Sequence, residues 1–185
     1  GFAAIIGAPN AGKSTLVNRL VGRKVSIVTH KVQTTRFQVR GVMSRDAAQV
    51  VLVDTPGVFQ PRRRLDRAMV AAAWAGAEDA DIVVHVVDAP AERRAAQGGA
   101  KGSDLRAAED VRRVIDGLQA SGRKAILALN KIDMMKRDQL LALAQRMHET
   151  GAYSDIFMIA AETGDGVEDL AAALCAAMPE SPWLY

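Results

Sequence analysis

Residues 7–15 read GAPNAGKST. This stretch follows the apolar residues 2–6 and precedes LVNRL at residues 16–20, whose apolar spacing is helical. The pattern G-x-x-x-x-G-K-[ST], placed between a strand and a helix, is typical of a loop that encloses a phosphate chain. We expect Gly7 and Gly12 to let the backbone turn tightly, so that the amides before the helix face the anion.

Two side chains of this loop carry its chemistry. Lys13 is expected to reach the β- and γ-phosphates of a nucleotide, and the Ser14 hydroxyl is expected to bind Mg²⁺. A glycine-rich turn with an incidental lysine is disfavoured, because the strand and the helix flank the motif in the required order. The predicted phosphate-binding residues are Asn10, Ala11, Gly12, Lys13, Ser14 and Thr15.

The composition is that of a globular protein. Hydrophobic residues make up 49% of the 185 residues and charged residues 24%, which suits one domain with a buried core. The net charge of +3 permits a polyanionic partner without requiring one. The single cysteine, Cys175, cannot form an internal disulfide, and no signal peptide or apolar stretch of membrane length is visible. We therefore expect a reducing, cytoplasmic location.

Short apolar runs alternate with helical patterns along the chain. This alternation predicts a three-layer α/β fold, in which helices cover both faces of a mostly parallel, six-stranded sheet. Strands are expected at residues 2–6, 38–43, 50–53, 82–87, 125–129 and 156–159. Helices are expected at residues 13–21, 65–77, 105–120, 135–149 and 167–178.

The connections add detail to this fold. Residues 44–47 are too few for a crossover helix, so the second and third strands should pair antiparallel at the sheet edge. The glycine-containing segment 89–103 is expected to be a flexible loop. Residues 1–178 are expected to form one domain, and residues 179–185 to begin a linker to a domain beyond the chain. Because the chain opens on a strand without an initiator Met, we expect an excised domain or an ordered core rather than a complete gene product.

The sequence DTPG at residues 54–57 follows the third predicted strand. Ligands of such sheets bind at the carboxyl ends of the strands, so Asp54 is expected to hold Mg²⁺ through water, opposite Ser14. Gly57 is expected to bring its amide close to the γ-phosphate. The alternative is a strand-ending aspartate followed by a Pro-Gly turn.

The sequence QTTR at residues 33–36 lies between the first helix and the second strand. A threonine in this place can complete the Mg²⁺ shell while a γ-phosphate is bound, and release it afterwards. We favour Thr35 over Thr34 for this role. The alternative is a polar connector with strand propensity.

The sequence NKID at residues 130–133 follows another buried strand. The Asp133 carboxylate can accept from both N1–H and the 2-amino group of guanine, whereas adenine would leave it unpaired, which favours guanine. Asn130 is expected to tie this segment to the phosphate loop, and the Lys131 stem to cover the base.

The sequence IAAETGDGV at residues 159–167 follows the last predicted strand. Its Ala161 amide is expected to donate to the guanine 6-oxygen, with Ala160 and Glu162 beside it. Ala160 stands where serine is usual, so we expect a less ordered base loop that still binds.

These motifs, in this order, resemble the translational-factor-related GTPases. Pro9-Asn10 together with DTPG resembles the Era, Der and TrmE group, and VSIVTHKVQTTR at residues 25–36 is similar to the Era family. Der and TrmE relatives carry an acidic residue where Phe37 stands. The resemblance covers essentially the whole chain and implies a P-loop GTPase (Ras-like) fold that binds GTP or GDP with Mg²⁺.

The resemblance also implies a function. Members of the Era family are GTP-hydrolysing switches in small ribosomal subunit assembly, and they bind the 3′ end of 16S ribosomal RNA through a C-terminal KH domain, which residues 1–185 lack. It implies a bacterial cytoplasmic protein with peripheral association at the inner membrane. The alternatives are a Der- or TrmE-type GTPase, or a nucleotide-loaded docking module with negligible hydrolysis.

For hydrolysis, Ras-like enzymes orient water with a glutamine where Val58 stands here. Asn10 matches the residue that helps to hold K⁺ in the TrmE-like group. Our hypothesis is that K⁺ takes the part of an arginine finger, that the loop at residues 25–32 closes over it, and that intrinsic turnover is slow. The catalytic residues would be Lys13, Asn10, Thr35 and Gly57.

Two further features have simpler interpretations. The run Arg62-Arg63-Arg64 is a candidate contact for ribosomal RNA, although such runs are more typical of a solvated loop. His85 lies within a buried strand, and we interpret it as a core histidine rather than a catalyst.

Overall fold

The computed structural model describes residues 1–8, 10–22, 38–54 and 79–180. Within these residues a single sheet has the strand order β2-β3-β1-β4-β5-β6. The strands are β1 (Phe2–Gly7), β2 (Gln38–Arg45), β3 (Ala48–Asp54), β4 (Ile82–Asp88), β5 (Ala125–Asn130) and β6 (Tyr153–Met158). Only β2 and β3 pair antiparallel, at the sheet edge, and the other neighbouring pairs are parallel. The predicted sheet is therefore confirmed.

Helices lie on both faces of this sheet. They are α1 (Lys13–Val21), α2 (Ala89–Gln97), α3 (Gly102–Ser121), α4 (Arg137–Glu149) and α5 (Val167–Ala176), with a 3₁₀ turn at Ile132–Met134. Buried leucines and valines of α1 and α5 pack on one face, and those of α3 and α4 pack on the other. The described helices that were expected are all present, with ends that differ by up to three residues. The helix expected at residues 65–77 lies outside the described residues.

The central strands are apolar along their whole length because both of their faces are covered. In β1, Ala3, Ala4 and Ile5 are fully buried, and Ile6 is nearly so. Side chains alternate between the faces, so that Ala4 and Ile6 join the α3/α4 core while Ala3 and Ile5 join the α1/α5 core. The parallel strands end together, which brings the loops after β1, β4, β5 and β6 to one edge.

The segment expected to be a flexible loop, residues 89–103, is mostly helical, so that expectation was wrong. The carboxylate of Asp88 caps α2 by accepting from the Ala91 amide at 3.0 Å, and Pro90 lies in the first turn. The glycines do not loosen the whole segment. Gly98 and Gly99 have positive φ angles of 76° and 71°, and they form the short connection to α3. Among the described helices, none combines the length and the apolar character needed to cross a membrane.

Candidate nucleotide-binding site

The phosphate loop turns between β1 and α1 through two left-handed residues. Asn10 has φ 67° and Gly12, which caps α1, has φ 95°. The Ala11 amide donates to Ala8 O at 3.1 Å, which closes the turn. Gly12 therefore serves the turn as expected.

Gly7 is required for another reason than the expected turn. It is the last residue of β1 and pairs with Val86 of β4. A Cβ on Gly7 would stand 2.8 Å from Val86 O, so glycine permits the close approach of the two strands at this edge.

Asn130 joins the phosphate loop to the base-side loops. Its side chain is 2% exposed, donates from Nδ2 to Ala11 O at 2.8 Å and accepts at Oδ1 from the Ala161 amide at 3.0 Å. Its Nδ2 also fills the space in which a Cβ on Gly12 would lie, so that any larger residue at position 12 would collide with it. The expected link between Asn130 and the phosphate loop is present.

Lys131 is fixed by an acidic residue that the sequence analysis did not single out. Its backbone is left-handed, with φ 66°, and its Nζ donates to Asn10 O at 2.8 Å and to Asp88 Oδ2 at 2.7 Å. The other carboxylate oxygen of Asp88 caps α2. A signal was available, since Asp88 ends a buried strand and stands before an Ala-Pro helix start. The expected contact of the Lys131 stem with a base stays a prediction.

The base-side loop at residues 159–166 is held by many backbone contacts. The Ile159 amide donates to Leu129 O at 2.8 Å, and Ile159 O accepts from the Ile132 amide at 3.2 Å. The Ala160 amide donates to Asp165 O at 2.9 Å. At Ala160, where serine is usual, both the backbone amide and the carbonyl are therefore hydrogen-bonded. The Ala161 amide donates to Asn130 Oδ1, so in this structure it is not directed at a base oxygen as we expected.

Arg19 is a second residue that the sequence analysis missed. It lies in the last turn of α1, and its Nε donates to Ala161 O at 3.0 Å while its Nη2 donates to Glu162 O. No local pattern could reveal it, because its partners lie more than 140 residues away, at a sequence separation of 142 for Ala161.

The described site residues meet at one edge of the sheet, as expected. Asp133 lies in the 3₁₀ turn after β5 with its side chain exposed, and Ser14 and Thr15 are exposed in the first turn of α1. Asp54 is the last residue of β3, next to β1. Thr35 and Gly57, together with Val58 and the arginines at 62–64, lie outside the described residues.

The residues present fit a nucleotide phosphate with its magnesium. Gly12 leaves no side chain at the turn, Lys13 follows it in the chain, and a cavity of about 170 Å³ is lined by Lys13 and Ser14 of α1 and by Arg40 of β2. Hydroxyl and carboxylate oxygens, the predicted donors, are the ligands that Mg²⁺ prefers. Within the described ranges no group of three or more His, Cys, Asp or Glu could hold a metal ion.

His85 lies away from this edge of the sheet, in β4, on the face that α3 and α4 cover. It is fully buried, its Nδ1 lies 2.8 Å from the Tyr153 hydroxyl, and burial lowers its pKa to about 3. Its Nε2 has no hydrogen-bond partner among the described residues. It is thus a neutral core histidine, as interpreted from the sequence.

The fold, the glycine-bent phosphate loop and the buried asparagine behind it define a P-loop nucleotide-binding domain. The sequence model of the 50S ribosome-binding GTPase family, MMR_HSR1, matches residues 2–131, and the chain belongs to this family.

Individual relatives are more specific. Over all 185 residues the chain is 65% identical to GTPase Era of Caulobacter vibrioides and covers 58% of that protein. It is similar to a crystal structure of an Aquifex aeolicus Era variant bound to GDP·AlF₄⁻, with a TM-score of 0.71, 31% identity, and coverage of 100% of this chain and 59% of that one. An Era structure with MgGDPNP and nucleotides 1506–1542 of 16S ribosomal RNA gives a TM-score of 0.73, with the same identity and coverage. The chain thus spans somewhat more than half the length of these relatives.

Proposed function

We propose that this chain is the GTP-binding and GTP-hydrolysing domain of an Era-like switch. Residues 1–178 would form the domain, and residues 179–185 would begin a linker to an RNA-binding domain. The observation that carries the proposal is Asn130, which bonds the phosphate loop on one side and the base-side loop on the other. A buried side chain in this position sets the distance between a phosphate site and a base site, as one nucleotide requires.

For the phosphate end, the proposal gives each residue a role. Lys13 and the amides of residues 10–15 would neutralise charge on the β- and γ-phosphates, most strongly as charge develops during transfer. Ser14, Thr35 and Asp54 would hold Mg²⁺, which when bound supplies further positive charge at the phosphates. The Gly57 amide would bind the γ-phosphate.

For the base end, the proposal concerns selectivity. The exposed Asp133 carboxylate would accept from N1–H and the 2-amino group of guanine, and the amide of Ala161 or of Glu162 would donate to the 6-oxygen. The Ala161 amide would have to turn from Asn130 toward the base, or its neighbour Glu162 would supply the bond. Adenine offers neither the amino group nor the oxygen.

The test of selectivity is competition of GDP and ADP for the purified chain. We expect GDP to bind at least a hundredfold more tightly than ADP. The Asp133→Asn variant should lose affinity for guanine nucleotides and gain affinity for xanthine nucleotides, because the amide offers a donor where the carboxylate offered an acceptor. The matched control is Asp138→Asn, another exposed carboxylate nearby at the start of α4. Equal competition by ADP would contradict the proposal.

Hydrolysis by way of K⁺ is the second part of the proposal. Asn10 is exposed at the turn of the phosphate loop, and its carbonyl is fixed by Lys131 Nζ. Its side chain would help to hold K⁺ beside the phosphates in the place of an arginine finger. We expect single-turnover hydrolysis to be faster in K⁺ than in Na⁺, and Asn10→Ala to lose that difference while still binding nucleotide. Equal rates in the two salts would remove the role of K⁺.

A docking module with negligible hydrolysis is the second candidate, and Val58 favours it, since valine cannot orient water. Phosphate release in K⁺, with and without small ribosomal subunits, separates the two functions. An Era-type role is favoured over a Der or TrmE type, because the relatives named Era match the whole chain.

The cellular partner is also a proposal. The family description names the 50S subunit, whereas the Era relative of known structure holds a 16S RNA segment. We propose the small subunit as the partner, because the match to that relative covers 100% of this chain. The RNA contact would be made by the full-length protein, in the bacterial cytoplasm and with peripheral association at the inner membrane.

A further inference from the structure

Arg19 connects the helix of the phosphate site to the loop of the base site. Helix α1 begins at Lys13, and its last turn carries the Arg19 guanidinium to two successive carbonyls of the base-side loop, Ala161 O at 3.0 Å and Glu162 O. A planar guanidinium presents its donors in a fixed fork, so two bonds to adjacent carbonyls orient both of them. None of the roles assigned above uses this residue.

These two bonds also orient amide groups. A peptide group is planar and trans, so its N–H points opposite to its C=O. The peptide that contains Ala161 O also contains the Glu162 N–H, and the next one contains the Thr163 N–H. Because Arg19 holds the carbonyls toward α1, both N–H groups point away from α1.

The neighbouring amides show which donors remain for a ligand. The Ala160 amide donates to Asp165 O and the Ala161 amide donates to Asn130 Oδ1. Within the described part of the chain, no hydrogen bond of the Glu162 amide is found. The peptide that Arg19 orients is therefore the one that carries an unused donor next to the base side of the site.

We propose that Arg19 is a specificity-positioning residue, which aims the amides of residues 162 and 163 at the 6-oxygen of the purine. This inference rests on the proposed guanine-nucleotide function. It also explains how the loop stays in place with Ala160 where serine is usual, since the restraint comes from α1 instead of from a local hydroxyl.

The test compares two nucleotides in one protein variant. GDP has the 6-oxygen, whereas the diphosphate of 2-aminopurine riboside lacks both the 6-oxygen and the N1 proton and keeps the 2-amino group. For Arg19→Ala we expect the Kd of GDP to rise about tenfold, since one directed hydrogen bond is lost, and the Kd of the 2-aminopurine nucleotide to rise less than about twofold. For GTP hydrolysis, KM should rise while kcat at saturation stays the same, because Arg19 does not touch the phosphates.

Two further variants complete the design. Arg45→Ala removes another arginine, whose Nη1 contacts Glu168 Oε2 of α5 at 2.5 Å without touching the loop carbonyls, and it should change neither Kd. Arg19→Lys keeps the charge but loses the fork, and it should restore only part of the GDP affinity. Competition against a fluorescent GDP analogue gives all the constants.

The outcomes separate the two proposals. If Arg19→Ala weakens both nucleotides by the same factor, or weakens neither, the role of Arg19 is overturned while the proposed function stands. If the unchanged protein itself binds GDP no better than ADP, the proposed function fails and the role of Arg19 fails with it. Partial unfolding of the variant does not imitate the expected result, because it would lower the apparent affinity for both nucleotides equally.

Discussion

The phosphate loop and the base-side loop meet at the same edge of the sheet but are built in different ways. The phosphate loop is one continuous stretch, shaped by the left-handed backbone of Asn10 and Gly12. The base side is assembled from segments far apart in the chain. Backbone hydrogen bonds close the loop at residues 159–166, and side chains attach it to its surroundings: Asn130 from β5 accepts from the Ala161 amide, and Arg19 from α1 donates to the Ala161 and Glu162 carbonyls. Lys131, which follows β5, connects the base side to the phosphate loop through Asn10 O.

This difference decides how each loop can fail. A loop shaped by backbone angles is destroyed by a single added methyl group where φ is positive and space is absent. A loop held by side-chain bonds loses one restraint at a time, so its losses should be graded and should depend on burial. The predictions below test this contrast.

The largest effect is expected at the phosphate loop. Gly12→Ala places a Cβ against Asn130 Nδ2 at a φ of 95°, so the loop must distort. We expect GDP affinity to fall by about a hundredfold or more, from strain of about 1–3 kcal/mol together with displaced amides. Isothermal titration calorimetry measures it. The control is Gly22→Ala at the other end of α1, where φ is 68° but nothing lies within 4 Å of the new Cβ. If both variants bind equally, backbone shape is not what limits this loop.

Asn130→Ala should give the next largest effect. It leaves the carbonyl of Ala11 and the amide of Ala161 without their partner in a buried place, at a cost of about 1–3 kcal/mol for each unsatisfied group. We expect the free energy of unfolding, from urea titration, to fall by about 3 kcal/mol. Gln119→Ala removes one exposed bond, to Thr150 O, and should cost less than about 1 kcal/mol. A loss at Asn130 as small as that of the control would contradict the contrast.

The same contrast explains what could be predicted from the sequence. Motifs that are continuous in the chain were found, because the required glycine, lysine and strand ends lie next to one another. The mostly parallel sheet and its antiparallel edge followed from continuous apolar runs and a short connection, whereas the order of the strands was not predicted. The link from Asn130 to the phosphate loop was also expected, since its motif fixes its place after β5.

Contacts between distant segments were not predictable in this way. Nothing near Arg19 in the sequence indicates that its partners are carbonyls beyond residue 160. The hydrogen bond of the Ala161 amide likewise depends on the position of the Asn130 side chain in the fold. The helix α2 was missed because the glycines at 98, 99 and 102 outweighed a cap that was readable, Asp88 followed by Ala-Pro. In that case Gly98 and Gly99 mark only the end of the helix, and Gly102 begins the next one.

His85 offers a buried polar group away from the loops, with one nitrogen unsatisfied. Its pKa is about 3 in the folded protein and about 6.5 when unfolded, so the unfolded state takes up a proton first as the pH falls. The free energy of unfolding is therefore unaffected by His85 above pH 6.5, and it falls progressively as the pH is lowered from 6.5 to 3. By pH 5 the loss should be about 2 kcal/mol.

The measurement is urea unfolding at pH 7 and pH 5, for the natural chain and for the double variant His85→Leu, Tyr153→Phe. The double variant removes the buried pair together, which avoids an orphaned hydroxyl. Its drop in stability from pH 7 to pH 5 should be smaller by about 2 kcal/mol. Glu92, whose pKa is raised by burial, shifts stability the opposite way but is present in both proteins. Identical pH dependence in the two would show that His85 is not buried as a neutral ring.

The smallest effect is expected for the ion pair of Asp88 and Lys131, and it tests the contrast most closely. Lys131 Nζ and Asp88 Oδ2 are 2.7 Å apart, and the Asp88 and Lys131 side chains are 17% and 33% exposed, so solvent weakens the attraction only in part. Asp88→Asn keeps an acceptor for the Ala91 amide, because asparagine caps helices as well as aspartate does, and thereby isolates the charge. With Lys131→Met as the second change, a double-mutant cycle on unfolding should give a coupling of about 1 kcal/mol.

A second cycle on the pair of Asp110 and Arg113 is the control, because its charged atoms are 3.7 Å apart and the Arg113 side chain is 60% exposed. It should give less than about 0.5 kcal/mol. The same Asp88→Asn change should lower GDP affinity by only a few fold, because Lys131 still donates to Asn10 O when its carboxylate partner is gone. A hundredfold loss would mean that the position of Lys131 depends on the charge of Asp88 alone. The base side would then depend on one contact, as the phosphate loop depends on Gly12, and the graded behaviour argued for it would be wrong.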